Sequence, residues 1–173
     1  MKYKKIKVYK FEELKENIQE KVLNNFRENN DLMFLDEYLN NYLEELLIKY
    51  KILVNNDKYF KLYYSLSYCQ GDGVCFIGNF EYKNFKIKIE HNFNYYHKRS
   101  TDIYIYKEDK KGNEIEVTEK QEEHFKNIYY EICDLIEKAG YDYIDSENSE
   151  ENIKELISIN EYTFRDSGEM ENI

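Results

Sequence analysis

The feature that most constrains this chain is an alternation of apolar and polar side chains from residue 60 to residue 93. Two gaps interrupt it, the segment Gln70-Gly71-Asp72-Gly73 and the pair Lys83-Asn84. Successive strand residues point to opposite faces of a sheet, so period two predicts half-buried strands. The short gaps predict an antiparallel meander with Lys83-Asn84 as a two-residue turn. Further strands are expected at residues 103–105 and 115–117.

Outside this stretch, apolar residues recur every three or four positions, which predicts four helices. Asp31 is the expected N-cap of the second helix, and the first two helices are expected to form an αα-hairpin. Thr118 and Gln121 have the spacing of a capping box before the third helix, Gly140 is its expected end, and Ser149 can cap the fourth. The predicted fold class is α+β: an antiparallel meander sheet of about four to six strands packed against about four helices.

One domain over residues 1–173 is expected, because no linker-like segment divides the chain. Short strands are predicted at Lys2–Tyr9 and Glu161–Phe164, and residues 165–173 are predicted to be a frayed acidic tail. Neither a membrane span nor the apolar region of a signal peptide is present in the sequence, so a cytoplasmic protein without membrane association is expected. Three cysteines without C-x-x-C spacing argue against a disulfide framework or a zinc site, and no cofactor is expected.

Charge is divided unevenly along the chain, which has a formal net charge of −10. Residues 1–107 hold 18 basic and 15 acidic residues, whereas residues 108–173 hold 7 basic and 20 acidic ones. An acidic half repels nucleic acid and attracts basic protein surfaces. The alternative is that these charges serve solubility and the helix dipoles. The candidate acidic binding surface consists of Glu119, Glu122, Glu123, Glu147, Glu150 and Glu151.

The segment Gln70-Gly71-Asp72-Gly73 is the sharpest local motif. Two glycines allow a ligand to approach the backbone, and Asp72 has the chemistry of a base or a cation ligand. The alternative is a turn or bulge in which the glycines accept positive φ and Asp72 bonds its own backbone. We favour the structural interpretation, and the lysine of a phosphate-binding loop is missing.

Three further groups of residues could carry chemistry. His91 falls on an apolar position of the alternating pattern, so it is expected on the apolar face of the sheet. His97 lies at a strand end beside Lys98 and Arg99. A nucleophile, a base and an orienting group cannot be assembled from the sequence, so no enzyme is predicted; an enzyme centred on Asp72 and His97 stays as an alternative. A basic strand with aromatic neighbours is typical of single-stranded nucleic-acid binding, or of a solvated sheet face. That strand comprises Lys83, Phe85, Lys86, Lys88, Phe93, Tyr95, Tyr96, Lys98 and Arg99.

Four blocks of the chain carry a resemblance: Val8–Leu14, Ser67–Phe76 with its Q-G-D-G segment, Tyr95-Tyr96-His97 with Asp102–Ile105, and Asn160–Phe164. In these blocks the chain resembles a family of small phage and prophage proteins commonly labelled antitoxin of a toxin–antitoxin stability system. Departures from the pattern are Cys69, where the family has serine, and Lys98-Arg99, where it has small residues. The resemblance implies an origin in a mobile element and transfers no catalytic role.

These observations together predict a phage or mobile-element protein that inhibits a bacterial defence or toxin effector by protein–protein binding, in the manner of an antitoxin or an anti-CRISPR protein. The expected partner is a host or phage protein whose basic surface the acidic chain covers. Direct nucleic-acid binding is not expected, because the net charge opposes approach to phosphates. A nucleic-acid-associated module remains the second interpretation.

Overall fold

The structure, a computed structural model, describes residues 7–55, 60–92 and 95–171. Within these ranges the chain forms four α-helices, a six-stranded antiparallel sheet and a two-stranded one. This confirms the predicted α+β class. The helices are α1 (Glu16–Glu28), α2 (Leu35–Lys49), α3 (Glu119–Glu147) and α4 (Glu150–Ile159), with a 3-10 helix at Phe11–Glu13. The strands are β1 (Ile52–Val54), β2 (Lys61–Ser65), β3 (Gly73–Tyr82), β4 (Phe85–His91), β5 (Thr101–Glu108), β6 (Glu114–Glu116), β7 (Thr163–Phe164) and β8 (Met170–Glu171).

The contacts between Cα atoms group the chain into two compact units. The first unit combines Met1–Met33 with Tyr143–Ile173, and the second is the continuous segment Phe34–Asp142. The single domain expected over residues 1–173 stays a prediction, and the two units are described separately.

The second unit is built on the long strand β3. The sheet has the order β1-β3-β4-β5-β6, and β2 pairs with the first half of β3. Phe80 lies opposite Ile87, and Ile87 opposite Ile105, so these residues share one face. The Lys83-Asn84 turn is where the sequence predicts it, with Lys83 at a φ of 56°.

Helix α3 covers the apolar face of this sheet. The ring of Tyr129 packs on Phe76 at 4.7 Å between centroids. The Tyr129 hydroxyl also donates a hydrogen bond to the carbonyl oxygen of Phe76, at 3.2 Å. Leu39 and Leu43 of α2 are fully buried in the same unit. The core of the second unit therefore lies between the sheet and its helices.

The first unit packs α1 against α4. Its buried cluster consists of Phe11, Leu14, Val22, Leu23, Ile153, Ile157 and Phe164. The backbones of Tyr9 and Phe164 exchange hydrogen bonds of 2.8 and 2.9 Å. Residues beyond Phe164 turn back into the β7–β8 hairpin, in which Arg165 forms ion pairs with Glu169 and Glu171.

Several local predictions differ from the structure. The N-cap of α2 is Phe34 instead of Asp31, and α3 continues past Gly140 to Glu147. The stripe of α1 packs with α4, while α2 belongs to the other unit, so the predicted αα-hairpin with a shared layer is wrong. Residues 165–171, predicted to fray, form the turn and second strand of a hairpin.

Some predictions fall on residues outside the described ranges. Of the strand predicted at Lys2–Tyr9, residues 2–6 lie outside them, and Tyr9 forms a β-bridge to Phe164. Phe93 also lies outside. No helix in the described part of the chain is both long enough and apolar enough to cross a membrane.

Candidate functional site

The connection between β2 and β3 folds around the carboxylate of Asp72. Its Oδ2 accepts hydrogen bonds from the backbone N–H of Ser67 at 2.7 Å and of Cys69 at 3.0 Å. Its Oδ1 accepts the Ser65 hydroxyl at 3.2 Å and the Cys69 thiol at 3.3 Å. The short polar side chain thus accepts hydrogen bonds from N–H, hydroxyl and thiol groups of the connection, as aspartates do in tight turns.

A residue distant in the sequence completes this arrangement. The hydroxyl of Tyr141, in α3, donates a hydrogen bond of 2.5 Å to Asp72 Oδ2. The ring of Tyr141 packs on Tyr68, with 4.7 Å between centroids. Tyr68 has a φ of 56°, which is a strained conformation for a bulky residue. A hydrogen bond and a ring contact therefore attach the connection to α3.

These contacts keep Asp72 ionised. Desolvation alone raises the pKa of the carboxyl group, but the hydrogen bonds from Tyr141, Cys69 and Ser67 outweigh it and bring the pKa well below its ordinary value. The pKa of Tyr141 is raised, through burial first and then through its hydrogen bond to the Asp72 carboxylate. A carboxylate with so low a pKa is a poor general base near neutral pH.

Gly73 brings the Q-G-D-G segment against the connection between β4 and β5. A Cβ built on Gly73 would lie 2.9 Å from the carbonyl oxygen of Tyr96 and 2.9 Å from Cδ2 of His97. The same atom on Gly71 would meet only Cys69 Sγ, at 3.8 Å. Neither glycine has the positive φ that the sequence predicts; close approach of two backbones accounts for Gly73 instead.

The three histidines lie in different surroundings. Nε2 of His91 is 2.8 Å from the carbonyl oxygen of Tyr95, and its ring stacks on Tyr63. Nδ1 of His97 accepts the backbone N–H of Arg99 at 3.0 Å. His124 lies 3.4 Å from the Tyr82 hydroxyl. Among the residues that the structure describes, no three His, Cys, Asp or Glu side chains are placed to hold a metal ion.

Two of the three cysteines are buried. Burial raises the pKa of Cys75 to about 12 and also raises the pKa of Cys133. Both thiols are therefore protonated near neutral pH and are weak nucleophiles. Cys69 is exposed and its thiol is engaged with Asp72.

The predicted acidic residues fall into two sets, one in each unit. In the second unit, Glu119 and Glu123 are exposed, and Glu122 forms an ion pair with Lys126. In the first unit, Glu147 is half-buried, and Glu150 pairs with Lys154 at 2.6 Å.

Within the first unit, Glu151 is exposed and lies one turn before Glu155, which is exposed as well and is not among the predicted acidic residues. The i, i+4 spacing was the signal that could have found Glu155.

Three of the five cations of the predicted basic strand are paired with carboxylates. Lys86 pairs with Glu81, Lys88 with Glu90 at 2.8 Å, and Lys98 with Asp134. The hydrogen bonds that Lys86 donates to Glu81 and Lys88 donates to Glu90 raise the pKa values of the two lysines. These lysines are thus less available to phosphates, which weakens the nucleic-acid interpretation.

Comparison of the chain with models of known protein families, with curated proteins and with solved structures finds no match. The resemblance to the phage and prophage family stays a prediction. Two blocks that carry it, Q-G-D-G and Tyr95-Tyr96-His97, meet in space at Gly73.

Proposed function

We propose that this chain acts by binding another protein, as an inhibitor of a bacterial defence or toxin effector with a basic surface. The observation that carries the proposal is the outer side of α4 in the first unit. Ile153 and Ile157 of this helix are buried, whereas Leu156 is 44% exposed and Ile159 is 72% exposed. Glu151 and Glu155 are exposed as well.

The helical period brings these residues together. At 3.6 residues per turn, Glu151, Glu155 and Ile159 follow one another along the side of α4 opposite its buried stripe, with Leu156 beside them. Within the described residues, neither Glu151 nor Glu155 has an ion-pair partner. Exposed apolar side chains next to free carboxylates match the composition of protein interfaces, which combine an apolar centre with a polar rim.

Charge supports a basic partner. The net charge of −10 and the concentration of acidic residues after residue 107 favour encounter with positively charged surfaces. A protein that covers a basic, nucleic-acid-binding groove blocks the function of that groove, which is how an antitoxin-like or anti-CRISPR-like inhibitor works. The origin in a mobile element rests on the family resemblance.

The proposal predicts that reversing the charge of the α4 surface abolishes partner capture. The full chain is immobilised and used to capture proteins from a bacterial lysate at low salt, followed by mass spectrometry. We expect basic proteins to be retained by the wild type and lost with Glu151→Lys combined with Glu155→Lys. In this variant the long-range attraction to a basic surface and the charge interactions at the edge of the interface both become repulsive. Glu37→Lys with Glu44→Lys, on the exposed side of α2, makes the same change in net charge and serves as the control.

A second pair of variants separates charge from apolar contact. Leu156→Ser with Ile159→Ser leaves the charge unchanged and should lower the affinity for the captured partner about tenfold or more, if the two side chains form the buried centre. Equal losses in the α2 control, or full retention in both α4 variants, would show that this surface is not the binding site.

A further inference from the structure

We propose that the cavity between the β3–β4 turn and the start of α3 binds a small anion that carries a flat aromatic ring, of the class of the nucleoside monophosphates. The cavity has a volume of about 390 Å³, which lies within the range of small-molecule sites. The inference goes beyond the proposed protein binding, since it involves the second unit and none of the residues of α4.

The floor of the cavity is apolar and rich in aromatic rings. It is formed by Tyr82, Phe85, Ile105 and Phe125. Tyr82 and Phe125 are buried and pack on each other at 5.8 Å between ring centroids. Rings fixed in this way offer a surface on which a planar group can stack without a further loss of side-chain freedom.

The rim of the cavity is basic. Lys83, Lys107 and Lys120 line it together with His124 and the side chains of Asn84 and Gln121. Nζ of Lys83 lies 4.8 Å from the centre of the Tyr82 ring, and Nζ of Lys107 lies 4.7 Å from that of Phe85. Two of the positive charges are therefore already held directly beside the aromatic floor.

These lysines differ from the two lysines of β4. Lys86 and Lys88 are paired with carboxylates, whereas Lys83, Lys107 and Lys120 have no ion-pair partner among the residues that the structure describes. None of the described residues that line the cavity carries a carboxylate. In a chain of net charge −10, a cavity with three unpaired ammonium groups is a local excess of positive charge that an anion can neutralise.

The aromatic floor and the basic rim together determine which kind of ligand the cavity can bind. An ammonium group binds a phosphate as a point charge, while the aromatic floor binds a planar base, and the amides of Asn84 and Gln121 can bond its polar edge. A long nucleic-acid strand is disfavoured, since Lys86, the nearest lysine along β4, is neutralised by Glu81. A single nucleotide therefore fits this site better than an oligonucleotide does.

The binding of adenosine 5′-monophosphate to the full chain, measured by isothermal titration calorimetry at low salt, tests the site. Adenosine and inorganic phosphate are titrated in parallel, because adenosine has only the planar base and phosphate has only the negative charge. We expect the monophosphate to bind about tenfold or more tightly than either one, as the charged contact adds to the stacking. Phosphate binding as tightly as the nucleotide, or no nucleotide binding at millimolar concentration, would overturn the proposal.

Variants locate the binding. Lys83→Gln with Lys107→Gln should weaken nucleotide binding about tenfold, and Phe85→Leu should weaken nucleotide and adenosine alike. Lys110→Gln with Lys111→Gln, in the turn between β5 and β6, removes the same charge away from the cavity and should change nothing. Circular dichroism verifies folding. Unchanged affinity in the first double variant, or tighter binding of a single-stranded oligonucleotide than of the monophosphate, would contradict the proposal.

Discussion

Asp72 accepts hydrogen bonds from five donors among the described residues, and four of them belong to residues 65–69 of its own connection. The fifth, Tyr141, comes from α3. An acceptor with so many donors is costly to remove, because every donor left without a partner loses a hydrogen bond. At the residue scale, the geometry of Asp72 therefore favours a structural role over a catalytic one.

The depressed pKa of Asp72 makes a prediction about acid stability. The folded protein binds the proton less readily than the unfolded chain, whose aspartate has an ordinary pKa of 3.8. The carboxylate thus stabilises the fold above about this pH, and the contribution is lost as the pH falls below it. We expect Asp72→Asn to unfold more easily than the wild type at pH 7, with a smaller difference at pH 2.5.

Urea unfolding from pH 7 to pH 2.5 measures this difference, with Asp31→Asn, an exposed aspartate, as the control. Equal acid sensitivity of Asp72→Asn and the wild type would disprove the ionised structural role. Partner binding should survive in Asp72→Asn. A folded variant that loses all inhibitory activity would instead support the alternative of an active site at Asp72 and His97.

At the scale of elements, the β2–β3 and β4–β5 connections touch at one glycine. Gly73→Ala should lower the free energy of unfolding by about 1–3 kcal/mol, since the added methyl group meets the Tyr96 backbone, which cannot move aside cheaply. Gly71→Ala is the matched control and should change stability little, because only Cys69 Sγ lies near it. Thermal unfolding of both variants measures the contrast, and equal losses would refute the close-approach explanation.

The elements differ in how well the sequence predicts them. The strand predicted at 74–82 is observed as Gly73–Tyr82, because alternation over a half-buried strand is a strong and local signal. Gly140 shows where prediction from the sequence fails. It is predicted as a helix end, but in α3 it provides room for Leu66, whose Cδ1 would lie 2.3 Å from a Cβ at this position. Glycine at a C-cap and glycine at a tertiary contact look alike in a sequence.

In the candidate sites too, the sequence predicts the contacts between neighbouring residues but not those between distant ones. The Q-G-D-G segment and the tendency of Asp72 to bond its own backbone are visible in the sequence, since they involve neighbouring residues. Tyr141 is not, because one of 19 tyrosines carries no mark of its distant partner. The three lysines around the cavity are also separated along the chain, and only the fold shows that no carboxylate of a described residue pairs with them.

At the scale of the whole molecule, the two units differ in how the chain forms them. The second unit is one continuous segment in which the strands from β2 to β6 pair in the order of the sequence, whereas the first requires both ends of the described chain. Closing a long loop costs more conformational entropy than forming a hairpin. We therefore predict that the amides of β3, β4 and β5 become protected before those of α1 and α4 during refolding, measured by pulsed hydrogen exchange with mass spectrometry.

Folding rates give an independent check of this order. Ile87→Val, in β4, should slow folding, while Val22→Ala, in α1, should mainly accelerate unfolding. Both residues are buried, and each change should cost on the order of 1 kcal/mol or somewhat more. Protection of α1 and α4 before the sheet, or slower folding of Val22→Ala alone, would reverse the predicted order.

The packing of α1 against α4 has a consequence for synthesis in the cell. The ribosome makes Leu14 and Val22 before it makes the sheet, but their buried neighbours Ile153, Ile157 and Phe164 are made after the sheet. Throughout translation of the intervening sheet, the apolar stripe of α1 has none of these partners and is open to chaperones and proteases. A nascent chain that stalls before Phe164 therefore exposes this apolar stripe. Because chaperones and proteases recognise exposed apolar segments, the incomplete chain is degraded efficiently.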